Sequence, residues 1–528
     1  MHALAGASGL YRQVRFLLPI AFLRRTRIDS HVPRDHFMPL VLGIDLGTTK
    51  TTAIAVSTET GDIVAHATES TNCNIAAPAD CDRGRMEFDA VALIRSGVAC
   101  LRGVGQQLGS RASDVVGLGI TGQQHGTVIV DADLQPLSPF INWQDQRGNE
   151  IAADGKSWVT LANERVDPEI AQRTGCRLRT GFLATTLFWM RAAEQLPRNG
   201  RACFLMDYFA STLTGEPLAT DPSCAGSAGV FDVPTRSWSK PALAALGLSD
   251  VSLSEVREAN ERVGRLSAEL ARETSLPLGM PVFVPIGDHQ ASFLGSVADR
   301  HESVLLNVGT GAQVAVFTPQ CDYQLPIELR PFPISGNLLS FVGLCGGWSF
   351  QVVERFFRLV GEQLYGQTID GSLYGKLTEL ATREAVGAAG IDCLPTFSGT
   401  RANPDQRGAF ANISAQSLTP GNFVRSLIEG MARDYQQAYA AIRSVTGAAK
   451  SRLVTAGNGL RENALLSTAV YEAFGLRPVA TRHREEAAFG AALVACVGAG
   501  VFPDLHAAGQ LVRYAENADA LQPAPGQR

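Results

Sequence analysis

From residue 40 onward, short apolar runs bounded by glycine or polar residues alternate with longer segments in which apolar residues recur at helical spacing. The short runs predict buried strands, and the longer segments predict helices. Residues 423–445 predict one long helix, because Pro420 and Gly421 precede this periodic segment and Gly447 follows it. Strands that alternate with helices along a chain predict an α/β architecture.

One strand–turn–strand pattern occurs twice, about half a chain apart. The first copy spans residues 43–49 and the second spans residues 305–311, and each is followed by a further apolar strand. Each copy contains a Gly-Thr turn, in which backbone N–H groups are accessible to a phosphate. The repeat therefore predicts a duplicated fold that holds a nucleotide between its halves.

The two copies differ at one position, where the first has Asp45 and the second has Asn307. Mg²⁺ is a hard cation that prefers carboxylate ligands. Asp45 is therefore predicted to help hold Mg²⁺, and the two copies are predicted to be chemically different. The alternative for Asp45 is a purely structural role, since aspartate often caps hairpin turns.

Asp288 follows Gly287 between a predicted strand at 282–286 and a helical segment at 291–298. A carboxylate at the mouth of a strand can accept the proton of an attacking hydroxyl group, which is the role of the base in phosphoryl transfer. The alternative is a helix N-cap, where aspartate is favoured. Its position just before the second Gly-Thr hairpin favours the catalytic role.

Two polar clusters lie at predicted strand ends, one with Gln124 and His125 and the other at residues 142–147. A sugar pocket needs fixed donors and acceptors for hydroxyl groups and an aromatic wall for the C–H faces, and the second cluster includes a tryptophan. The alternatives are a structural role for His125 and a local ion pair between Asp145 and Arg147.

Composition excludes several classes of protein. The formal net charge of −5 gives no sign of a nucleic-acid surface. No run of 18 apolar residues is present, so no membrane partner is expected. The ten cysteines include no CxxC pair, which indicates reduced thiols in a cytoplasmic protein rather than a disulfide framework or a zinc site.

The two ends of the chain differ from its centre. Residues 1–37 contain six arginines, two acidic residues and an apolar patch at 16–23 that is too short to span a bilayer. They are interpreted as a disordered extension or as the product of an upstream start site, with a targeting leader as the alternative. Residues 506–528 are predicted to form a polar tail that is loose beyond Gly509.

Seven short motifs follow one another between about residues 40 and 500. Their order along the chain is more specific than any one motif alone. The motifs are Asp45-Leu-Gly-Thr-Thr, Gly122-Gln-Gln-His-Gly, Trp143-Gln-Asp-Gln-Arg, Gly287-Asp-His-Gln-Ala-Ser, Asn307-Val-Gly-Thr-Gly, Gly399-Thr-Arg with Asn403-Pro and Arg407-Gly, and Ala487-Ala-Phe-Gly-Ala-Ala. In this order they resemble the FGGY family of carbohydrate kinases, within the actin/hexokinase/Hsp70-type ATPases.

The resemblance implies an α/β fold of two RNase H-like domains with an interdomain cleft. The N-terminal domain, at 38–285, would hold the sugar and the phosphate/Mg²⁺ side, and the C-terminal domain, at 286–505, would hold the nucleotide. ATP would be the phosphoryl donor, with Mg²⁺ as its metal ion.

The resemblance also assigns residue roles. Asp288 would be the catalytic base and Asp45 the residue near the metal. Phosphates of ATP would be contacted by Thr48, Thr49, Gly309 and Thr310, and Gly457 would lie near adenosine, although many turns between strands and helices need glycine. The sugar would be bound by Gln124, His125, Asp145, Asp288 and His289.

Within the family, the pair at 124–125 is similar to the ketose branch that includes xylulokinase, and segments 143–147 and 180–189 are more similar to sedoheptulokinase. The predicted reaction is therefore ATP-dependent phosphorylation of sedoheptulose on its terminal hydroxyl, and D-xylulose or another sugar or polyol is the alternative acceptor. Two departures stand out: His289 where Asn or Gln commonly follows the base, and Gly-Asn-Gly at 457–459 where consecutive glycines are usual.

Two other classes of function are alternatives. One is an ATPase module of the actin or Hsp70 type, and the other is a sugar-binding regulator that has lost catalysis. The polar pocket argues against the first and the presence of both Asp45 and Asp288 argues against the second. The sequence does not determine oligomeric state, and a homodimer is retained as one alternative.

Overall fold

The structure, a computed structural model, describes residues 39–515 except 402 and 404. The interpretation of residues 1–37 and of the tail beyond 515 lies outside the described residues. Among the described residues, no helix has both the length and the apolar character needed to cross a membrane.

The first half of the chain contains the strands of a seven-stranded sheet, a five-stranded sheet and two two-stranded sheets, together with the helices that cover them. The strands are β1 Leu40–Leu46, β2 Lys50–Ser57, β3 Ile63–Ser70, β4 Glu87–Phe88, β5 Val115–Gly122, β6 Gly126–Val130, β7 Phe140–Asn142, β8 Arg201–Cys203, β9 Ala219–Thr220, β10 Phe231–Asp232, β11 Ser237–Trp238, β12 Ser252–Leu253, β13 Glu255–Val256, β14 Arg262–Arg265, β15 Pro281–Phe283 and β16 Ile286–Gly287. The helices are α1 Pro78–Cys81, α2 Ala90–Leu108, α3 Trp158–Arg165, α4 Pro168–Arg173, α5 Leu183–Ala192, α6 Leu205–Thr214, α7 Pro222–Ala225, α8 Lys240–Ala245, α9 Ala268–Thr274 and α10 Asp288–Ser296.

The second half contains a six-stranded sheet and a separate two-stranded sheet. Its strands are β17 Ser303–Val308, β18 Gly311–Thr318, β19 Glu328–Pro331, β20 Asn337–Cys345, β21 Asp392–Leu394, β22 Ala409–Ala411, β23 Arg452–Ala456 and β24 Pro478–Ala480. Its helices are α11 Gly347–Tyr365, α12 Tyr374–Thr382, α13 Pro420–Thr446, α14 Asn458–Glu462, α15 Ala464–Phe474, α16 Glu486–Gly498 and α17 Leu505–Gly509. Short 3-10 helices lie at Gly109–Asp114, Arg147–Asn149, Gly226–Ala228 and Ala388–Gly390.

The two main sheets have the same strand order. The first runs β3-β2-β1-β5-β15 and the second runs β20-β18-β17-β23-β24, with additional strands at or beside these paths. In each sheet the central strand is antiparallel to its hairpin partner and parallel to a later strand. Asp45 and Asn307 are each the penultimate residue of that central strand. The predicted duplication is therefore confirmed.

Helices α10 and α16 cross between the two halves. Helix α10 follows the last strand of the first sheet but buries its apolar residues against strands of the second sheet. Helix α16 belongs to the second half of the chain but packs on β1 and β2 of the first sheet. Glycine permits this close approach, because a β-carbon at Gly43 would lie 1.9 Å from the carbonyl oxygen of Ala488, and one at Gly490 would lie 1.9 Å from that of Ala291. The pair of helices forms the floor of the cleft.

Local expectations were largely confirmed, with three differences. The long helix α13 extends over residues 420–446 and ends at Gly447 in a left-handed conformation. The strand expected at 282–286 is divided into β15 and β16, and α10 begins at Asp288, so that Gly287 rather than Asp288 is the N-cap. The tail was expected to be loose beyond Gly509, but Leu511 and Val512 are buried in the core that contains α16.

Candidate active site

A cavity of about 450 Å³ lies between the two sheets, at the ends of their central strands. It brings together five of the predicted site residues, namely Asp45, Gln124, His125, Asp288 and His289. The remaining lining residues are Trp143, Ser292, Asn307, Gln313, Glu328, Arg330, Val342, Arg401 and Ala487. Residues from both halves of the chain therefore face one space.

Asp288 is the first residue of α10, directly after β16, which pairs in parallel with the end of β5. Burial raises the pKa of its carboxyl group to about 6, although backbone N–H groups of His289 and Gln124 lower it. The residue before it must be small, because a β-carbon at Gly287 would lie 2.6 Å from Oε1 of Gln124. At neutral pH Asp288 is a carboxylate of increased basicity that faces the cavity.

Asp45 lies at the end of β1, beside Thr121 of the parallel strand β5. Its Oδ1 atom is buried and has no hydrogen-bond partner among the described residues. Burial, followed by the negative charges of Asp288 and Glu485, raises the pKa of this carboxyl group to about 7, although the positive charge of Lys50 opposes the increase. The residue thus has a free oxygen and lacks a sufficient counter-charge, which a cation would supply.

His125 is fixed on two sides. Its ring stacks on Phe182 with the centroids 4.2 Å apart, and its Nδ1 lies 3.0 Å from the carbonyl oxygen of Ser227 and donates to it. Burial, followed by the positive charges of Arg330 and Arg401, lowers its pKa well below the usual value. His125 is therefore a neutral, oriented imidazole at the wall of the cavity.

His289, the unusual neighbour of Asp288, is buried and points across to the second sheet. Its Nε2 and the hydroxyl oxygen of Ser340 are 2.8 Å apart in a hydrogen bond. Burial lowers its pKa to about 4, so the ring is neutral at physiological pH. Its Nδ1 is buried and has no hydrogen-bond partner among the described residues, and the residue lines the cavity.

Asp145 is placed differently from the other predicted sugar ligands, since it is fully buried and does not line the cavity. Its oxygens accept hydrogen bonds from the guanidinium of Arg147, with the shortest at 2.8 Å, and from the backbone N–H of Met86 at 2.8 Å. Arg147 also pairs with Glu87 at 2.7 Å. Asp145 thus forms the local ion pair considered as its alternative, and any contact with a sugar stays a prediction.

The predicted phosphate-binding residues occupy the two hairpin turns. The hydroxyl oxygen of Thr48 accepts a hydrogen bond of 2.9 Å from the indole N–H of Trp143, which connects the first turn to the cavity wall. Thr49 follows it in the same turn. In the second turn, a β-carbon at Gly309 would meet no heavy atom closer than 3.9 Å, so the space above this glycine and Thr310 is open.

Gly457 directly follows β23 and is the N-cap of α14, with a positive φ of 77°. A β-carbon at this position would lie 2.4 Å from the carbonyl oxygen of Val308 and 2.8 Å from Oδ1 of Asn307. Glycine is therefore required for the contact between this turn and the second Gly-Thr hairpin. The structure brings Gly457 next to Asn307, and its contact with adenosine stays a prediction.

Sequence reasoning missed the charged group at the far wall. Glu328 and Arg330 lie on the edge strand β19, and Glu328 accepts hydrogen bonds of 2.6 Å from both Arg330 and Arg401. The guanidinium of Arg330 also lies 5.5 Å from the centroid of the Phe182 ring, whose other neighbour is His125. Charged residues that alternate with apolar ones on a strand otherwise buried were the available signal.

A short segment behind the cavity supports several of its residues. Ser223 accepts a hydrogen bond from the backbone N–H of Gly287, and the carbonyl oxygen of Gly226 accepts one of 3.1 Å from Arg330. The hydroxyl of Ser227 donates to the backbone carbonyl of Gln124. This segment, residues 221–228, was not singled out from the sequence because its own side chains do not enter the cavity.

Known proteins resemble this chain over nearly all of the described region. The model of the FGGY family of carbohydrate kinases, N-terminal domain, matches residues 40–295, and that of the C-terminal domain matches residues 308–499. An autoinducer-2 kinase of Salmonella paratyphi A is 27% identical over 92% of this chain and 91% of its own length. The sedoheptulokinase of Mus musculus is 27% identical over 86% of this chain and 97% of its own length.

The fold comparison leads to the same group. A ligand-bound xylulose kinase from Lactobacillus acidophilus superposes with a TM-score of 0.78 and 18% identity, covering 91% of this chain and 93% of that one. This likeness confirms the predicted α/β fold. With both family models matched in order along one chain, the protein belongs to the FGGY family of carbohydrate kinases.

Proposed function

We propose that this ATP-dependent carbohydrate kinase phosphorylates the terminal primary hydroxyl group of a ketose, with sedoheptulose as acceptor and sedoheptulose 7-phosphate as product. The observation that carries this proposal is the shared cavity of Asp288 and Asp45, with the neutral hydrogen-bonding side chains of Gln124, His125 and His289 around them. The N-terminal domain at 38–285 and the C-terminal domain at 286–505 would supply the two sides of the cleft.

In this proposal Asp288 is the base. A carboxylate with a pKa near 6 is ionised at neutral pH, and is still basic enough to accept the proton of an attacking hydroxyl late in the reaction. Gln124, His125 and His289 would orient the ketose by hydrogen bonds to its hydroxyl groups. Because none of the three is charged at neutral pH, they suit a neutral polyhydroxylated acceptor.

The residues near Asp45 fit a Mg²⁺ ion that accompanies ATP. Its buried Oδ1 without a partner and its raised pKa both indicate a missing positive charge. The described residues contain no group of three or more His, Cys, Asp or Glu side chains arranged for a metal, and Mg²⁺ usually keeps several waters and binds to substrate phosphates with one or two carboxylates. Bound there, the ion would neutralise charge on the phosphates. Thr48, Thr49, Gly309 and Thr310 would hold those phosphates through backbone N–H and hydroxyl groups.

Closure of the cleft would bring the two Gly-Thr turns together and expel water, which would protect ATP from hydrolysis. The catalytic effect is then mainly one of positioning and charge stabilisation. The free thiols of all ten cysteines, of which six are buried, support the further proposal of a reducing, cytoplasmic environment.

Two other acceptors are candidates. D-xylulose is favoured by the Gln124–His125 pair, and autoinducer-2 is favoured by relatives named autoinducer-2 kinase, such as that of Salmonella paratyphi A, which matches over 92% of this chain. An ATPase module without a sugar acceptor is the candidate of another class.

One assay separates these possibilities. ADP release is measured with ATP and Mg²⁺, first without acceptor and then with sedoheptulose, D-xylulose, D-ribulose, glycerol and autoinducer-2. We expect ADP release that depends on acceptor, with the highest kcat/KM for sedoheptulose. A higher kcat/KM for another acceptor would replace the substrate, whereas hydrolysis at the same rate in all samples would contradict the kinase proposal.

A further inference from the structure

A second, smaller cavity of about 180 Å³ adjoins the active-site cavity, and is rich in arginine. Its lining consists of Arg177, Arg179, Leu325, Pro326, Glu328 and Arg401. Glu328 and Arg401 line both cavities, so the two spaces share a wall. Three guanidinium groups thus face a space that has one carboxylate.

That carboxylate is already shared. Glu328 is buried and accepts hydrogen bonds from Arg330 on one side and from Arg401 on the other, both at 2.6 Å. The attraction of these two cations lowers the pKa of Glu328 to about 2, despite its burial, so it stays ionised. The single negative charge of Glu328 is therefore already shared by Arg330 and Arg401, and Arg177 and Arg179 add two further positive charges.

Arg179 is the least satisfied member of this group. Its Nη2 donates to the backbone carbonyl oxygen of Arg401 at 2.7 Å, and its Nε is buried without a partner among the described residues. Burial lowers the pKa of this guanidinium, and the positive charge of Arg401 lowers it further. An oxyanion between Arg179 and its neighbours would accept a hydrogen bond from Nε, and its negative charge would oppose the lowering of the pKa.

The position of Arg401 is built into the fold rather than accidental. Its side chain crosses Gly343 on β20, where a β-carbon would lie 2.8 Å from the Cγ atom of Arg401. Gly343 also has a positive φ of 78°. Glu164 lies in the wider groove outside the small cavity, and its carboxylate accepts a hydrogen bond of 2.7 Å from Lys156. Because Glu164 is paired with this lysine, it does not supply a further counter-charge to the arginines.

We propose that Arg177, Arg179 and Arg401 form a binding subsite for a small oxyanion, a phosphate ester or a carboxylate, next to the acceptor pocket. Guanidinium groups bind such groups through paired, charge-assisted hydrogen bonds. The anion has two conceivable sources, the far end of an acidic acceptor or a separate small effector. The proposal goes beyond phosphorylation of a neutral ketose and does not require it.

The test uses the full chain in phosphate-free buffer of low ionic strength. Inorganic phosphate is titrated calorimetrically into the wild type, R177Q, R179Q and the control R95Q, which removes an exposed arginine on α2. We expect saturable binding to the wild type and R95Q, and binding weaker by about tenfold or more in R177Q and R179Q. R177Q keeps the test valid if R179Q fails to fold, because Arg177 is exposed. Absence of saturable binding to the wild type, or equal affinity in all four proteins, would overturn the proposal.

A matched pair of sugars then distinguishes the two sources. D-Gluconate and D-glucitol have the same number of carbons, and of these two the carboxylate is present in gluconate alone. If the anion belongs to the acceptor, gluconate is phosphorylated in preference to glucitol, R177Q removes this preference, and phosphate competes with gluconate. If the anion is an effector, phosphate changes KM or kcat for the ketose without being consumed. Phosphate binding that alters none of these rates would overturn a functional role of the subsite.

The two proposals fail separately. ADP release with neutral ketoses in phosphate-free buffer tests the kinase reaction, whereas the phosphate titration needs neither ATP nor turnover. An active ketose kinase in which R177Q and R179Q bind phosphate like the wild type would retain the first proposal and refute the second.

Discussion

The hydroxyl oxygen of Ser223 accepts the backbone N–H of Gly287 at 2.9 Å, one residue before Asp288. The same hydroxyl donates to the buried carboxylate of Asp221, whose pKa is raised to about 7 by burial. Ser223 therefore connects a buried polar group to the peptide that begins α10. The position of the proposed base depends on a residue more than sixty positions away in the chain.

Ser223→Ala is expected to lower both stability and turnover. It leaves the buried N–H of Gly287 unsatisfied, which should lower the free energy of unfolding by about 1–3 kcal/mol. A small displacement of Asp288 should lower kcat by about ten- to a hundredfold, with KM for ATP nearly unchanged. Kinetics and thermal unfolding measure both effects.

Ser211→Ala is the matched control for this variant. Ser211 is also buried, but its hydroxyl has no hydrogen-bond partner within the described residues. Its removal should leave kcat unchanged. Equal losses of kcat in the two variants would show that Ser223 has no specific positioning role.

The architecture of the two halves was predictable because the signals are local. A glycine-threonine turn between apolar strands is visible within about ten residues, and its recurrence around Asp45 and Asn307 predicts two equivalent sheets. The exchange of α10 and α16 was not predictable in the same way. An alanine-rich helix such as α16 carries no directional apolar face, and only the glycines opposite it, Gly43 and Gly119, reveal where it packs.

The residues of the candidate site also differ in how far local sequence signals predicted them. Asp45, Gln124 and Asp288 lie at strand ends or turns, where an isolated polar residue is informative. Glu328 and Arg401 are 73 positions apart, and neither lies in a pattern that indicates the other. Their ion pair exists because β19 and the loop at 401 meet in three dimensions, and Asp145 is directed away from the cavity by an equally specific pairing with Arg147.

Asp288→Asn should lower kcat by about 10²–10⁴-fold, the range for removal of a general base, with nucleotide affinity nearly unchanged. In the wild type, kcat should fall as pH drops through about 6, because the protonated carboxyl group cannot accept a proton. This acid limb should disappear in the variant.

The buried carboxyl group of Asp207, whose pKa is raised to about 8 by burial, lies outside the cavity lining and provides the control. Asp207→Asn should keep both kcat and the acid limb. Nearly full activity of Asp288→Asn would exclude Asp288 as the base.

Asp45→Asn should make the protein without nucleotide more stable at alkaline pH. The pKa of Asp45 rises from 3.8 to about 7 on folding, so the folded state binds more protons than the unfolded state between these values. The destabilisation by Asp45 is absent below about pH 4 and complete above about pH 7. Because Asp45 as a whole is of intermediate exposure, the expected gain above pH 7 is about 2 kcal/mol.

Melting temperatures across this pH range measure the effect. Asp133→Asn, at an exposed turn, should show no such pH dependence. The gain in Asp45→Asn should be accompanied by loss of Mg²⁺-dependent turnover. A constant difference between pH 4 and pH 8 would contradict the electrostatic explanation.

His289→Gln should alter recognition of the acceptor more than the chemical step. The variant replaces a neutral ring that lines the cavity and removes its hydrogen bond to Ser340. We expect KM for the ketose to rise by about tenfold, the effect of one lost hydrogen bond in a pocket, with KM for ATP unchanged.

Ser340→Ala separates the two contributions, since it breaks the same hydrogen bond without entering the cavity lining. If KM for the ketose rises less in Ser340→Ala than in His289→Gln, the rest of the increase in His289→Gln comes from a lost contact with the sugar. Equal increases would mean that His289 acts only through its contact with Ser340.

Gly309→Ala should weaken ATP binding without loss of stability. A β-carbon at Gly309 meets no heavy atom of the protein closer than 3.9 Å, so the protein without nucleotide accommodates it. In the complex, the added methyl group would occupy the space in which a phosphate approaches the backbone of the second Gly-Thr turn. KM for ATP should rise by about tenfold or more, and the melting temperature without nucleotide should stay within error of the wild type.

Gly375→Ala in α12 is the control, because it also has open space around the new carbon. It should leave KM for ATP unchanged and slightly raise stability through helix propensity. If Gly309→Ala binds ATP as tightly as Gly375→Ala, the second turn does not contact the phosphates. The two hairpins would then differ in function, although the strand order of their sheets is the same.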